Sequence, residues 1–294
     1  MIRPEGIIPA MVTPMTEDDC VNEQELRRQI NRQINAGVHG LFCLGTNGEF
    51  YALDTEEKIA VIKATVSETG GRLPVFAGTG CITTKETIML TQRAQELGVD
   101  AVSVITPYFL ALSQEEIYAH YREIAAAVDI PIILYNIPMR TGNAIDHKTL
   151  NQLGKIQNII GIKDSSGNFD NCLRYIEETK GQVAVLSGND SLILSTLIAG
   201  GTGGISGVAN LFPEILVSIY ELWKKGDLEG AKQAQSSLRP IRDTFKLGNP
   251  NSIVKRAMNL LGYPVGPLRK PAMLSSAVDQ QILKALEFYK EVKA

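Results

Sequence analysis

Short apolar runs recur along the first two-thirds of the chain, separated by segments whose apolar residues return with a helical period. The runs are continuous rather than alternating, which is typical of strands that are buried on both faces of a sheet. Between them, segments such as Glu23–Ala36 place Leu26, Ile30 and Ile34 on one helix face. The predicted strands are Gly6–Val12, Gly40–Leu44, Pro74–Ala77, Ala101–Ile105, Pro131–Tyr135, Ile159–Ile162, Val183–Leu186 and Gly204–Val208.

Eight strands that alternate with helices predict an α/β fold, a (β/α)8 barrel of the TIM type. An open, doubly wound sheet shares this periodicity, but eight strands favour closure, and no Gly-x-Gly-x-x-Gly follows the first strand. Strand signals stop after residue 224, and Asp227–Phe245, Asn251–Leu261 and Ser275–Val292 are predicted helices. We therefore expect a catalytic barrel over residues 1–224 and a C-terminal helical region over residues 225–294, packed on the barrel.

Composition and charge narrow the classes of function. The chain has 294 residues, 44% of them hydrophobic, and a formal net charge of −3, so it lacks the basic surplus of a nucleic-acid binder. No apolar stretch is long enough to cross a bilayer and the N-terminus has no signal segment, which predicts a cytoplasmic protein without a membrane partner. The cysteines are scattered, which indicates free thiols rather than a metal site or a disulfide framework.

Active-site residues of such barrels lie at the carboxyl ends of the strands. Six of the predicted strands end in residues that can carry chemistry or hold a substrate. These segments are Gly45–Glu49, Thr106–Phe109, Tyr135–Arg140, Lys163–Asp164, Ser187–Asp190 and Gly201–Gly207.

Lys163 is the strongest candidate, because it follows an apolar strand and its amine should point into the barrel mouth. Desolvation favours a neutral amine, which can attack a ketone carbonyl and form an iminium that acts as an electron sink. Taken alone, the same lysine could instead extend from the strand end into solvent. Tyr135, which ends the preceding strand, could shuttle the protons of this reaction or be a hydrogen-bonded tyrosine at the rim of the core.

Other strand ends offer groups that suit anionic substrates. The turn Gly45–Gly48 presents backbone N–H groups and a threonine hydroxyl, although similar turns also serve as plain βα connections. Arg140 could bind a carboxylate or be solvated. The glycines at 200–204 could cradle a phosphate or permit close packing of the backbone. The three histidines form no metal-binding pair, which disfavours a metal-dependent aldolase.

Together these motifs resemble the dihydrodipicolinate synthase / N-acetylneuraminate lyase family of pyruvate-dependent class I aldolases. The resemblance covers nearly the whole chain and rests on Gly45–Glu49, Tyr135–Pro138, Gly161–Asp164, and Ser187–Gly188 followed by the glycines of strand 8. It implies a barrel enzyme without a metal or organic cofactor, and a homotetramer.

The resemblance also implies roles for individual residues. Lys163 would form the Schiff base with pyruvate, and Tyr135 would act as the proton shuttle. Thr46 would belong to the catalytic group and, with Asn47, would hold the pyruvate carboxylate through backbone N–H groups. The expected substrate-binding residues are Asn47, Tyr108, Phe109, Arg140, Gly188 and Ile205, the last through its backbone carbonyl.

The chain departs from the synthase pattern at positions that bear on the second substrate. Synthases carry a second threonine where Asn47 stands, and a tyrosine that reaches a neighbouring subunit's site where Phe109 stands. Phenylalanine cannot relay a proton. The run Lys163–Gly167 also differs from the usual Lys-Glu-Ala-Thr-Gly of the synthases. In contrast, Arg140 is similar to the synthase arginine that holds the carboxylate of the aldehyde substrate.

We therefore expect a Schiff-base aldolase or lyase that makes or cleaves a C–C bond between pyruvate and an aldehyde. The expected substrate is a 2-keto-3-deoxy sugar acid or a compound of the 4-hydroxy-2-oxoglutarate type. One alternative is 4-hydroxy-tetrahydrodipicolinate (dihydrodipicolinate) synthase, which condenses pyruvate with aspartate semialdehyde in lysine biosynthesis. Two further alternatives are a non-catalytic pyruvate-binding regulator and a phosphate-binding barrel without a Schiff base.

Overall fold

Eight parallel strands form a single sheet in the computed structural model. The structure describes residues 2–293. Met1, the first residue of the predicted barrel, and Ala294, the last residue of the predicted C-terminal region, lie outside the described residues. The strand order is β1-β8-β7-β6-β5-β4-β3-β2. A parallel bridge between Ala10 and Phe42 joins the two edge strands, so the sheet is a nearly closed barrel. The predicted (β/α)8 fold is confirmed. The strands are β1 Gly6–Pro9, β2 Leu41–Cys43, β3 Val75–Gly78, β4 Ala101–Ile105, β5 Ile132–Asn136, β6 Ile159–Asp164, β7 Ala184–Ser187 and β8 Gly203–Ser206.

Helices alternate with the strands and continue beyond the last of them. Short 3-10 turns occupy Phe50–Ala52, Asp190–Leu192, Val208–Asn210, Thr244–Leu247 and Ser276–Val278. The α-helices are α1 Glu23–Asn35, α2 Thr55–Thr69, α3 Thr84–Glu96, α4 Gln114–Ala127, α5 Pro138–Thr141, α6 His147–Leu153, α7 Phe169–Thr179, α8 Ile193–Ile198, α9 Pro213–Lys224, α10 Leu228–Ser236, α11 Arg239–Asp243, α12 Pro250–Leu260 and α13 Asp279–Lys293.

Successive side chains of the strands point alternately into the barrel and outward against the helices. Both faces are buried, which explains why the strands are continuous apolar runs in the sequence. The outer layer includes Val102, Leu134 and Ile162. The cluster inside the barrel consists of Ile8, Ala10, Phe42, Phe76, Ala101, Ile133, Ala184, Leu186 and Ile205.

Strand β6 is longer than its predicted extent of Ile159–Ile162. Lys163 pairs with Tyr135 on β5 and with Leu186 on β7, and Asp164 pairs with Asn136 and Ser187. The polar residues at the end of the run therefore continue the ladder of backbone hydrogen bonds. As a result, Lys163 is held as a strand residue and not as part of a loop.

The glycines that lead into β8 serve close packing. A Cβ atom on Gly203 would lie only 2.0 Å from the backbone oxygen of Gly6 on β1. Any larger residue would push these two strands apart. This observation favours the close-packing interpretation of the glycine run over a phosphate cradle.

The C-terminal region is helical, but the prediction of one helix over 227–245 is wrong. The segment divides into α10 and α11, and Pro240 lies in the first turn of α11. Proline has no backbone N–H to continue the preceding helix, which accounts for the break. Helices α9–α13 enclose a second apolar cluster around Ile219, Ile253 and Ile282. The division between the two regions at residue 224 stays a prediction.

Candidate active site

Lys163 lies inside the mouth of the barrel with only 3% of its surface exposed. Its Nζ atom is 4.2 Å from the centre of the Tyr135 ring and 5.2 Å from the centre of the Phe42 ring. Among the ion pairs formed within residues 2–293, none involves this lysine. The amine is thus enclosed by aromatic rings rather than neutralised by a carboxylate, which leaves it available to a ligand.

A polar network fixes the ends of β5 and β6, where Tyr135 and Lys163 stand. The carboxylate of Asp164 accepts hydrogen bonds from Asn136 Nδ2 at 2.7 Å and from Ser166 Oγ at 2.7 Å. Asn136 Oδ1 in turn accepts the backbone N–H of Ile145 at 3.0 Å. The sequence places Asn136 and Asp164 at strand ends, but their positioning role depends on the strand register, which the sequence does not show.

Thr46 joins Tyr135 at the same mouth. The two hydroxyl oxygens lie 3.0 Å apart and share a hydrogen bond, and both side chains are buried. The backbone oxygen of Thr46 accepts a hydrogen bond from Asn251 Nδ2 at 2.8 Å. In the described chain, no acceptor receives the backbone N–H groups of Thr46 and Asn47. These two donors are therefore free to receive an anion.

A buried ion pair stabilises the turn that carries Thr46. Glu49 has a left-handed backbone conformation, with φ of 56°. Its carboxylate pairs with the Lys255 ammonium and also accepts the backbone N–H of Arg269 at 2.8 Å. Burial lowers the pKa of Lys255, and the amine also donates to Pro267 O at 2.9 Å. Residues far along the sequence thus fix the conformation of the turn.

Gly188 provides room beside the lysine. A Cβ atom at this position would lie 1.9 Å from Ser165 Oγ and 3.0 Å from Lys163 Cε. The side chain of Ile205 is buried in the interior of the barrel, in the same apolar cluster as Phe42. The expected role of the Ile205 carbonyl stays a prediction.

The other predicted substrate-binding residues lie further from Lys163, toward the outside of the barrel mouth. Phe109 is 91% exposed and has a left-handed φ of 80°, so within one chain its ring does not reach the Thr46–Tyr135 pair. Arg140 is also exposed, on the short helix α5. Tyr108 is half-buried and packs edge-on against Phe50, with ring centres 6.1 Å apart, and burial raises the pKa of its phenol.

Asn47 lies between the buried residues around Lys163 and the exposed residues at the rim of the barrel. Its amide side chain packs over the end of β8, since a Cβ atom on Gly207 would lie 2.9 Å from Asn47 Nδ2. The structure thus brings Lys163, Tyr135 and Thr46 together, with Gly188 beside them. It leaves Phe109 and Arg140 at the rim.

Within residues 2–293, neither a metal-binding cluster nor a membrane-spanning helix is present. No group of three or more histidine, cysteine, aspartate or glutamate side chains lies close enough to hold a metal ion. Over the same residues, no helix has both the length and the apolar character to span a membrane.

Known proteins with the same architecture were found by sequence and by structure. The model of the dihydrodipicolinate synthetase family matches residues 3–287. The 4-hydroxy-tetrahydrodipicolinate synthase of Methanopyrus kandleri is 41% identical over 283 residues, which is 95% of this chain and 94% of that protein.

Two similar crystal structures contain pyruvate. Dihydrodipicolinate synthase from Acinetobacter baumannii, complexed with pyruvate, superposes with a TM-score of 0.94 at 33% identity, covering 97% of this chain and 98% of that one. YagE, a prophage protein of the dihydrodipicolinic acid synthase family from E. coli K12 in complex with pyruvate, gives 0.92 at 32% identity and covers 98% of each chain.

A (β/α)8 barrel with a buried lysine beside a tyrosine–threonine pair defines a lyase of the class I aldolase type. The chain belongs to the dihydrodipicolinate synthetase family. It is accordingly an enzyme, a pyruvate-dependent class I aldolase, and the predicted family and enzyme class are confirmed.

Proposed function

We propose that Lys163 forms a Schiff base with pyruvate, and that the enzyme makes or cleaves 2-keto-3-deoxy sugar acids or compounds of the 4-hydroxy-2-oxoglutarate type. The observation that carries this proposal is the position of the Lys163 amine, 4.2 Å from the ring of a tyrosine whose hydroxyl is bonded to Thr46. A nucleophile and a hydroxyl pair that can pass protons therefore share one buried site.

In this mechanism the neutral amine of Lys163 attacks C2 of pyruvate. Tyr135 and Thr46 pass protons to and from the carbinolamine, and the carbonyl oxygen leaves as water. The resulting iminium is cationic, and the faces of Tyr135 and Phe42 stabilise a positive charge at that nitrogen. Loss of a methyl proton then gives the enamine, whose carbon attacks the aldehyde. Cleavage is the reverse of these steps.

The free N–H groups of Thr46 and Asn47 suit the carboxylate of pyruvate. Both belong to a turn that Glu49 and Asn251 hold in place. Because the donors are fixed before the ligand arrives, binding does not have to order them. Metal ions are not needed to hold the anion in this arrangement.

The preference for a sugar-acid type of substrate rests on Phe109 and Asn47. Phe109 has no hydroxyl to extend a proton relay, and it stands at the rim with 91% of its surface exposed. Asn47 offers an amide that can both donate and accept hydrogen bonds. Such a group suits the hydroxyls of a polyhydroxy aldehyde.

Reductive trapping tests the Schiff base. With pyruvate and borohydride, the wild-type protein should gain the mass of one reduced adduct, and peptide mapping should locate it on Lys163 and not on Lys255, which is also buried. The variant Lys163→Met should gain none. A wild-type protein that stays unmodified, or an adduct that persists in Lys163→Met, would contradict the proposal.

A second candidate is 4-hydroxy-tetrahydrodipicolinate synthase. It is favoured by the name of the Methanopyrus relative and by the exposed guanidinium of Arg140 at the rim, which suits the carboxylate of aspartate semialdehyde. We expect slow condensation of pyruvate with this aldehyde by the wild-type enzyme, and a gain of about tenfold or more in Phe109→Tyr but not in Phe109→Leu. A fast wild-type rate would support the synthase instead.

We also propose that the enzyme assembles as a homotetramer. The apolar side chains of Phe109, Leu110 and Ile82 are exposed, and Ile82 and Leu110 line one surface pocket. Residues of an interface between copies would be exposed in this way in an isolated chain. Sedimentation velocity tests this, and a monomer at micromolar concentration would contradict it.

A further inference from the structure

Ser103 is a polar residue inside the barrel that the proposed mechanism does not use. It lies on β4, pairs with Gly78 on β3 and Ile133 on β5, and is only 2% exposed. Its hydroxyl has no hydrogen-bond partner among the residues that the structure describes. A buried hydroxyl is costly unless it is bonded, so such a group indicates a ligand or an ordered water.

Ser103 lines a small cavity. Tyr135 lines the same cavity, and the other walls are aromatic and aliphatic side chains together with three glycines. The space open to the centre of a water molecule is about 10 Å³, which is about the room that one water needs. The cavity thus has room for a single water.

This cavity adjoins the reactive amine. Phe42 and Tyr135 form part of its wall, and the same two rings lie within 5.2 Å of Lys163 Nζ. Tyr135 therefore borders both the cavity and the lysine. Its hydroxyl is also the group that would move protons during iminium formation.

We propose that Ser103 holds one water in this cavity, which exchanges with solvent, so that the vacated site receives the water released when Lys163 forms its iminium and supplies the water for hydrolysis. The inference rests on the proposed function. Iminium formation joins the amine nitrogen to C2 of the 2-oxo acid and breaks the bond between C2 and oxygen. The oxygen leaves as water with one proton from the amine and one through Tyr135. Hydrolysis takes one water from this site and returns one proton to the amine and one through Tyr135.

Ser103 is accordingly a positioning residue for water. The cavity acts on both directions of the same step, so it changes the rates of iminium formation and hydrolysis together and leaves their ratio unaltered. The later loss of the methyl proton does not involve the cavity.

The test compares wild type, Ser103→Ala and Ser103→Val. In Ser103→Val, the larger valine side chain fills the cavity. Rapid-quench trapping with borohydride gives the rate at which the Lys163 adduct forms with pyruvate, and a chase with ¹³C-pyruvate gives the rate of hydrolysis. We expect both rates to fall roughly tenfold in Ser103→Ala and at least as far in Ser103→Val. The fraction of enzyme trapped at equilibrium, and deuteration of the methyl group in the adduct, should stay unchanged.

Thr196→Val is the matched control, because the Thr196 hydroxyl is also buried and without a partner among the described residues but does not line this cavity. This variant should behave as wild type. Unchanged rates in Ser103→Ala, or a change in the trapped fraction and in deuteration as well, would overturn the inference. Absence of any adduct in the wild type would instead refute the Schiff base itself. A crystal structure should show an ordered water bonded to Ser103 Oγ, and its absence would count against the proposal.

Discussion

Lys163 and Tyr135 are neighbours because β5 and β6 pair in register, and Asn136 and Asp164 hold that register at the strand ends. A strand pair shifted by one residue would turn one of these side chains out of the barrel. The reactive pair therefore depends on a hydrogen bond one residue further along. At the scale of single residues, the proposed chemistry depends on this local geometry and on the hydroxyl of Thr46.

Tyr135→Phe tests the proton shuttle. The change removes one hydroxyl and keeps the ring over Lys163, so we expect kcat for aldol cleavage to fall by about 10²–10⁴-fold. Trapping with pyruvate and borohydride should still label Lys163, although more slowly. Tyr108→Phe is the control, because Tyr108 lies at the rim and packs on Phe50 instead. Equal losses in the two variants would contradict the assignment.

At the scale of elements, helix α12 supports the turn after β2 from the far end of the chain. Lys255 pairs with Glu49, and Asn251 donates to the backbone oxygen of Thr46. Both bonds come from one helix, so the helix and the turn are fixed as one unit. The C-terminal region therefore takes part in shaping the site that the barrel contains.

Lys255→Met should be strongly destabilising because it leaves the Glu49 carboxylate buried without its partner. We expect a loss of about 3–5 kcal/mol in the free energy of unfolding, measured with urea. The double variant Glu49→Gln with Lys255→Met should recover most of this loss, since no buried charge remains. Lys232→Ala, which removes the exposed pair with Glu229, should cost under about 1 kcal/mol. An equal effect of Lys255→Met and Lys232→Ala would show that the buried pair is not important.

Element boundaries mark the limit of what periodicity can predict. All eight predicted strands are present, because continuous apolar runs indicate burial on both faces. The extension of β6 through Lys163 and Asp164 could not be predicted, since it follows from pairing with the neighbouring strands. The break near Pro240 could have been predicted from proline alone.

At the scale of the whole molecule, we expect His120 to couple the free energy of unfolding to pH. This histidine is 5% exposed, and burial lowers its pKa to about 4, while Thr84 Oγ1 lies 2.9 Å from its Nδ1. In the unfolded chain its pKa is about 6.5. Well above pH 6.5 the imidazole is neutral in both states, so its protonation does not affect the free energy of unfolding. As the pH falls toward 4, only the unfolded chain gains a proton, so stability is lost.

We expect this residue alone to cost the native state up to about 3 kcal/mol between pH 6.5 and pH 4. Urea unfolding of wild type and His120→Gln at pH 7 and pH 4.5 measures the effect, and the variant should lose less stability on acidification. His147→Gln, whose histidine is more exposed and lies beside Asp146, is the control. Equal pH dependence in wild type and His120→Gln would contradict the prediction.

The sequence by itself determined the barrel, the family and the candidate lysine, because strands buried on two faces and short motifs at strand ends can be recognised from consecutive residues. Tertiary structure decided which candidates meet. It brought Thr46 to Tyr135 across 89 positions and Lys255 to Glu49 across a still longer separation, and it left Phe109 and Arg140 at the rim. It also produced the Ser103 cavity, since the space inside a barrel depends on side chains from several strands at once. Such contacts are set by strand register and packing, neither of which is recorded in local sequence.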